Sequence, residues 1–434
     1  MFNFNTQPMK YRFQGEMTVP GDKSIAHRAI VLASLAKGVT QISNFSFSED
    51  LTTTVKLFQD LGVKMHVEPT TKDMIIKGSN RNFNPLTHTL NLNNVGELQS
   101  LIMGMLATTP DTYTLNGGEF LSKRPSDNLA VLLTDMGADL TRTSDDYLPL
   151  EITGSNNLRG ITYQQDIASA QIKSGLIFAS LFADSKTQIL RKMPTRNHTE
   201  VLANYFGADI TTDPNVITVN PQNTELTGQN LTIPGDFSSA AFYIVGSLLA
   251  DNSHLTLHRV GLNSTRTGLL QVIEQMGGKI EITNRSKNSV EPYGDLTMVS
   301  QKLHGTTISA EQVPFIIDEI PLIALMASQA SGKTIIEDIH DVHLQMSDRI
   351  TNMRVELAKL GIVMTVNDDS IVIKGNQSIH VKDDVDSHDD HRIAMMLCVA
   401  SNLIDTPLQI KNIEAIDISY PDFISDMKKV LVVG

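Results

Sequence analysis

Val19-Pro20-Gly21-Asp22-Lys23-Ser24-Ile25-Ala26-His27-Arg28-Ala29 puts a tight turn, a helix start and a set of polar and cationic side chains into eleven residues. Pro20-Gly21 breaks the preceding apolar run, Asp22 is suited to cap, and Ala, Leu and Val carry a helix to about Lys37. The N–H groups at such a helix start carry partial positive charge and favour an anion. Lys23 adds a point charge, Ser24 a neutral donor and Arg28, one turn on, a planar fork suited to carboxylate or phosphate. Alone, the stretch reads equally well as a capped helix with two solvated cations. A second copy argues otherwise: Ile233-Pro234-Gly235-Asp236-Phe237-Ser238-Ser239-Ala240-Ala241-Phe242 repeats the frame and opens another apolar helix, without the cations. The chain reads as a duplication in which one half kept the charge.

The 434 residues, 41% of them hydrophobic, suffice for large cores, and a net charge of −13 argues against a nucleic-acid partner. An acidic protein that binds small anions must gather its few cations locally, so lysines and arginines near helix starts are the ones to follow. No apolar run reaches ~18 residues and the N-terminus lacks the order of a signal peptide, so a cytoplasmic protein without membrane association is expected. The single cysteine, Cys398, lies in an apolar run that reads as buried helix and is a poor nucleophile.

Outward from the two Pro-Gly-Asp frames, a helix-ending apolar-Gly pair recurs as Leu61-Gly62, Met136-Gly137, Phe206-Gly207, Met276-Gly277 and Leu360-Gly361, with a period near 70 to 75 residues and one longer step. Each unit reads helix, short strand, second helix, glycine turn and strand-rich sequence. Six copies make two domains of three, 20–234 and 1–19 with 235–434, with a ligand cleft expected between them. Polar residues gather at the helix starts. First helices begin at Lys23, near Gly96, at Ser169-Ala170-Gln171, Asp236, Asp318-Glu319 and Asp390-His391-Arg392; second helices begin at Ser48-Glu49-Asp50, Lys123-Arg124-Pro125, Arg196-Asn197-His198, Thr265-Arg266, Ser347-Asp348-Arg349 and Ser419-Tyr420-Pro421.

Taken together, Pro20-Gly21-Asp22-Lys23-Ser24 with Arg28, Lys123-Arg124-Pro125, Ala168-Ser169-Ala170-Gln171, Arg196-Asn197-His198-Thr199-Glu200, Ile317-Asp318-Glu319 and Asp390-His391-Arg392-Ile393-Ala394-Met395 resemble, in order and over nearly the whole chain, the 5-enolpyruvylshikimate-3-phosphate synthases among the enolpyruvyl transferases. The resemblance implies an α/β fold of two inverse α/β prism domains, built from six βαβαββ repeats, with the substrate cleft between the domains. It implies a cofactor-free transfer of the enolpyruvyl group of phosphoenolpyruvate to the 5-hydroxyl of shikimate 3-phosphate, by a monomer whose partners are these two small molecules. Carried over, Lys23, Ser24, Arg28, Ser169, Gln171, Arg196, Asp318 and Gln345 hold shikimate 3-phosphate. Lys23, Gly96, Arg124, Gln171, Arg349 and Arg392 hold phosphoenolpyruvate, the last two at its carboxylate. Asp318 and Lys23 are the implied catalytic residues, Asp318 accepting the hydroxyl proton; from the residues alone Asp318 also reads as a helix cap. His388, Asp389, Asp390 and His391 also suggest a metal site, but neighbours on one helix turn do not all point one way, and the family motif has no metal.

Two stretches depart from the family pattern. Asn94-Val95-Gly96-Glu97-Leu98-Gln99-Ser100-Leu101 has a carboxylate beside an anion seat and a serine in place of arginine; Gln345-Met346-Ser347-Asp348-Arg349 has an amide and a thioether where a cation and a proton-transfer carboxylate are usual. Besides a working synthase, a degenerate paralogue that binds shikimate 3-phosphate with little turnover therefore stays open. A UDP-N-acetylglucosamine enolpyruvyl transferase shares the fold but is disfavoured by the absence of the usual loop cysteine.

Overall fold

The computed structural model describes residues 10–433 except 125 and 143, and no side chain of 127 or 340–348. The chain divides into two compact units, one running from Gly21 to Ile233 and the other comprising the chain before and after it. The first contains α1 (Lys23–Leu35), α2 (Glu49–Asp60), α3 (Gly96–Leu106), α4 (Glu119–Ser122), α5 (Asp127–Met136), α6 (Ala170–Ser180) and α7 (His198–Phe206). The second contains α8 (Phe237–Leu249), α9 (Gly268–Gln275), α10 (Ile320–Gln329), α11 (His340–Lys359), α12 (His391–Ser401) and α13 (Phe423–Val430).

One strand plan recurs. Asn230–Thr232 runs parallel to Val39–Ser43, which pairs antiparallel with Asp73–Lys77, and that strand with Lys64–Glu68. Thr89–Asn91, Thr112–Asn116, Leu150–Thr153 and Asp139–Arg142 repeat the order, as do Thr162–Gln165, Thr187–Arg191, Val216–Val219 and Ile210–Thr212. The last strand of this unit thus completes its first sheet. In the other unit Tyr11–Thr18 takes that part, parallel to His254–Gly261, with Tyr293–Val299 and Glu281–Thr283 beyond and Leu431–Val433 on its far edge. Thr307–Ile308, Lys333–Glu337, Ser370–Lys374 and Met364–Val366 form the next sheet, and the sixth copy is cut down to the parallel pair Val385–Asp386 and Ile410–Lys411. This is the expected α/β architecture of small mixed sheets around helices.

The first helix of each repeat is apolar all round and is buried accordingly: α8 is buried from Phe237 to Leu248 and α12 from Ile393 to Ser401, and α8, α10 and α12 pack on one another. Second helices are amphipathic; α2 buries only Leu51, Thr54, Leu57 and Phe58. The glycines of the recurring apolar-Gly pair share one cause, since Gly62, Gly137, Gly207, Gly277 and Gly361 all take φ between +80° and +112°, where a side chain is strained. One second helix departs from expectation. α11 begins at His340 rather than at Ser347, because no proline or glycine breaks the run His340–Lys359. Arg349 therefore projects from mid-helix and not from a helix start.

α3 and α6 approach so closely that a Cβ on Gly104 would stand 2.0 Å from the carbonyl oxygen of Gly175. Gly104→Ala is expected to push these helices apart and destabilise the protein by about 1–3 kcal/mol or more, read as a fall in thermal midpoint; an unchanged midpoint would mean that the helices do not touch at this point.

Candidate active site

In the Gly21–Ile233 unit, Asp22 accepts from the Ile25 N–H at 2.9 Å and caps α1, which fixes the directions of Lys23, Ser24 and Arg28. The Lys23 ammonium pairs with Asp50 in the first turn of α2. Arg28 is buried, and its fork is shared out: Nε donates to Thr199 Oγ1 at 2.7 Å, Nη2 to Ser174 Oγ at 3.1 Å, and Nη1 to the Ser24 carbonyl at 2.8 Å and to Glu97 Oε1 at 2.5 Å. The other Glu97 oxygen accepts from Ser24 Oγ at 3.0 Å. The Glu97 carboxylate, which departs from the family pattern beside an anion seat, is therefore paired. Burial pushes its pKa up, but the charges of Arg28, His27 and Lys23 together with the Arg28 hydrogen bond hold it well below the usual carboxylate range.

Gly96 opens α3, and a Cβ there would stand 2.4 Å from Arg124 Nη1, so the guanidinium lies directly against that helix start. Arg124 Nη2 donates to Gln171 Oε1 at 3.4 Å. Gly96, Arg124 and Gln171 thus come together, as do Ser24 and Arg28. Ser169 is the N-cap of α6, its hydroxyl accepting from the Ile172 N–H at 3.3 Å. Arg196 precedes α7, and its carbonyl accepts from Lys173 Nζ at 2.6 Å. Lys173 is fully buried and also pairs with Glu200 at 2.7 Å, so an ion pair inside the unit pins the backbone that carries Arg196.

The other unit gathers its charges on Asp318. Arg392 Nη2 stands 3.1 Å from Asp318 Oδ2, while Arg349 Nη1 and Arg266 Nη1 each lie 3.7 Å from a carboxylate oxygen. α10 starts at Ile320 after Glu319, so Asp318 is not the helix cap. Arg349 Nε also donates to Asp390 Oδ2 at 2.5 Å, and Asp390 caps α12 by accepting from the Arg392 and Ile393 N–H groups. Burial raises the pKa of Asp390, but Arg349, His391 and the Arg392 N–H bring it down to about 2. His388 turns away to Glu356 Oε1 at 2.8 Å, so the two do not converge on one point as metal ligands would. Gln345 and Met346, with Ser347 and Asp348, have side chains outside the described residues, as does Pro125 altogether.

The sequence reading passed over Arg266 as a site residue. It is buried, donates from Nη2 to Ser238 Oγ at 2.9 Å and Asp236 Oδ1 at 3.3 Å, and so supplies the second Pro-Gly-Asp frame with the cation it lacks locally. Its signal was its place, Thr265-Arg266, in the series of second-helix starts. The Lys173–Glu200 pair left less trace, since a lysine in an apolar helix reads as solvated.

His27 is wholly buried beside the Arg28 and Glu97 pair; its Nδ1 lies 2.7 Å from Thr54 Oγ1, and Nε2 makes no hydrogen bond. Burial lowers its pKa from 6.5 to about 4, against the pull of Glu97 and Asp50. The unfolded chain, titrating near 6.5, thus binds a proton that the folded chain refuses. Stability attributable to His27 is full above pH 6.5 and falls by up to about 3 kcal/mol as pH drops towards 4. Thermal melts across this window should therefore show a shallower pH slope in His27→Asn than in the parent, and equal slopes would contradict the assignment.

A family model described as EPSP synthase (3-phosphoshikimate 1-carboxyvinyltransferase) matches residues 9–427. A relative named 3-phosphoshikimate 1-carboxyvinyltransferase from Leuconostoc mesenteroides is 39% identical over 429 residues, covering 98% of each chain. One of the same name from Streptococcus mutans is 41% identical over 421 residues, covering 96% of this chain and 97% of the other. Among solved structures, EPSP synthase from Acinetobacter baumannii superposes with a TM-score of 0.86 at 34% identity, covering 98% of this chain and 97% of that one. The enolpyruvyl transferase NikO from Streptomyces tendae, at 16% identity, shares the fold with a TM-score of 0.78 over 98% of this chain and 97% of its own.

Proposed function

The chain belongs to the EPSP synthase family, and from that premise we infer that it transfers the enolpyruvyl group of phosphoenolpyruvate to the 5-hydroxyl of shikimate 3-phosphate, releasing phosphate. The hydroxyl oxygen bonds to C2 of phosphoenolpyruvate as C3 gains a proton; the tetrahedral intermediate then expels phosphate as C3 loses a proton, so no redox partner is required. Among the described residues, no helix is long and apolar enough to cross a membrane. A monomer in the cytoplasm is the proposed working form, in keeping with a single, buried Cys398 whose thiol burial pushes up.

The observation that carries the chemistry is the convergence of Arg392, Arg349 and Arg266 on Asp318. Arg349 and Arg392 are the proposed holders of the phosphoenolpyruvate carboxylate. A substrate carboxylate drawing these two forks towards itself weakens their hold on Asp318. An aspartate relieved of two cations becomes a stronger base, so Asp318 is made ready for the hydroxyl proton by the arrival of the second substrate. Arg266, tied to Asp236 and Ser238, stays behind to orient it. In the Gly21–Ile233 unit, Lys23, Arg124, Gln171 and the start of α3 at Gly96 take the phosphoenolpyruvate phosphate, with Lys23 the second proton carrier. Ser24, Arg28, Ser169, Gln171 and Arg196 take shikimate 3-phosphate, together with Lys23, Asp318 and Gln345.

Asp318→Asn should lower kcat by roughly 10²- to 10⁴-fold and, by freeing Arg349 and Arg392 from a competing carboxylate, lower the phosphoenolpyruvate Michaelis constant as well; a variant with parental kcat would remove Asp318 from the chemistry. Arg124→Ala and Arg392→Ala should each weaken phosphoenolpyruvate binding by about tenfold to a hundredfold, the worth of one charge-assisted contact, with a much smaller effect on shikimate 3-phosphate. Calorimetry with each ligand checks this, and equal losses for both would refute the division of the anion sites.

A further inference from the structure

Arg28 has few N–H groups to offer a ligand. Nε serves Thr199, Nη2 serves Ser174, one Nη1 hydrogen is directed to the Ser24 carbonyl, and the other is directed to Glu97. The Ser24 hydroxyl, the neighbouring proposed contact, also donates to Glu97. Thr199, Ser174 and the Ser24 carbonyl are buried parts of the framework. Glu97 differs: its side chain is 19% exposed against 3% for Arg28, and it springs from the first turn of α3 immediately after Gly96. Of all the acceptors on this guanidinium, it is the one with room to leave.

We propose that Glu97 is a built-in competitor for the shikimate 3-phosphate seat, its two carboxylate oxygens holding the donors of Arg28 and Ser24 that the anionic oxygens of the substrate must take over. The inference rests on the assignment of Ser24 and Arg28 to that substrate. Binding is then an exchange of one anion for another on the same fork, and the parent gives up affinity in proportion to the strength of the internal pair. Specificity gains from the exchange, because a neutral or singly contacting ligand cannot displace a two-oxygen carboxylate.

The released carboxylate remains among groups that are committed elsewhere or, like His27, uncharged in the folded chain. Lys23 and His27 project from α1 beside Arg28, Asp50 of α2 holds Lys23, and Lys173 of α6 is closed on Glu200 of α7. With Arg28 turned to the substrate, the Glu97 carboxylate gives up its guanidinium partner and turns its partly exposed side chain towards solvent.

Isothermal titration calorimetry of shikimate 3-phosphate into the parent, Glu97→Gln and Glu97→Thr tests the proposal. Both variants are expected to bind about tenfold or more tighter than the parent. Thermal melts separate competition from mere support: the variants should melt lower alone, since Arg28 loses its counter-ion, and gain more from saturating substrate than the parent gains. Parental affinity in both variants, or weaker binding in both, would overturn the inference while leaving the seat in place. Absence of binding by parent and variants alike would overturn the seat itself and the inference with it.

Discussion

The first helix of each repeat is buried on every side, and this constraint governs the rest of the molecule. A helix with no solvent-facing flank can keep polar side chains only at its ends, where N–H groups need acceptors. α1, α8 and α12 meet that need with Asp22, Asp236 and Asp390 as caps. Charges that follow a cap into the first turns, such as Arg28, are carried below the surface by the helix. There each must find a partner, because an unpaired buried charge costs several kcal/mol.

The pairing is met differently in the two units. In the Gly21–Ile233 unit one arginine is distributed over two hydroxyls, a carbonyl and Glu97, whereas in the other unit three arginines converge on one aspartate. Both arrangements place a carboxylate on the guanidinium groups assigned to anionic substrates. The same physics that stabilises the fold therefore sets the conditions under which substrates bind. Glu97, a charge out of keeping with an anion site when read along the chain, becomes intelligible as the acceptor that a buried Arg28 requires.

The duplication is carried down to details of chemistry. Asp22 and Asp236 occupy equivalent places and cap equivalent helices, yet Asp236 also receives Arg266, from the start of the following second helix. The half without local cations is thus supplied with one from about thirty residues further along. The copy that lost its lysine and arginine kept the aspartate, because capping alone is reason enough to keep it.

The sequence by itself determined the repeat, the helix starts and the turns. Pro-Gly-Asp and the apolar-Gly pairs act through backbone geometry local to a few residues, and the structure places the starts of α1 and α8 and the ends of α2, α5, α7, α9 and α11 where those signals fall. It also brought out the candidate residues at those starts, because cations and caps beside an apolar run are visible in one dimension. Only the tertiary structure decided which charges meet. The contact of Glu97 with Arg28 spans 69 residues and that of Arg349 with Asp390 spans 41. Lys173, which the sequence alone would leave in water, pairs with Glu200 because α6 and α7 pack together. α11 starts early without a capping side chain at Ile339 to mark its boundary, so the polar residues at Ser347 misplace it. Side-chain pairing is a property of packed neighbours, and neighbours in a core are chosen by the fold.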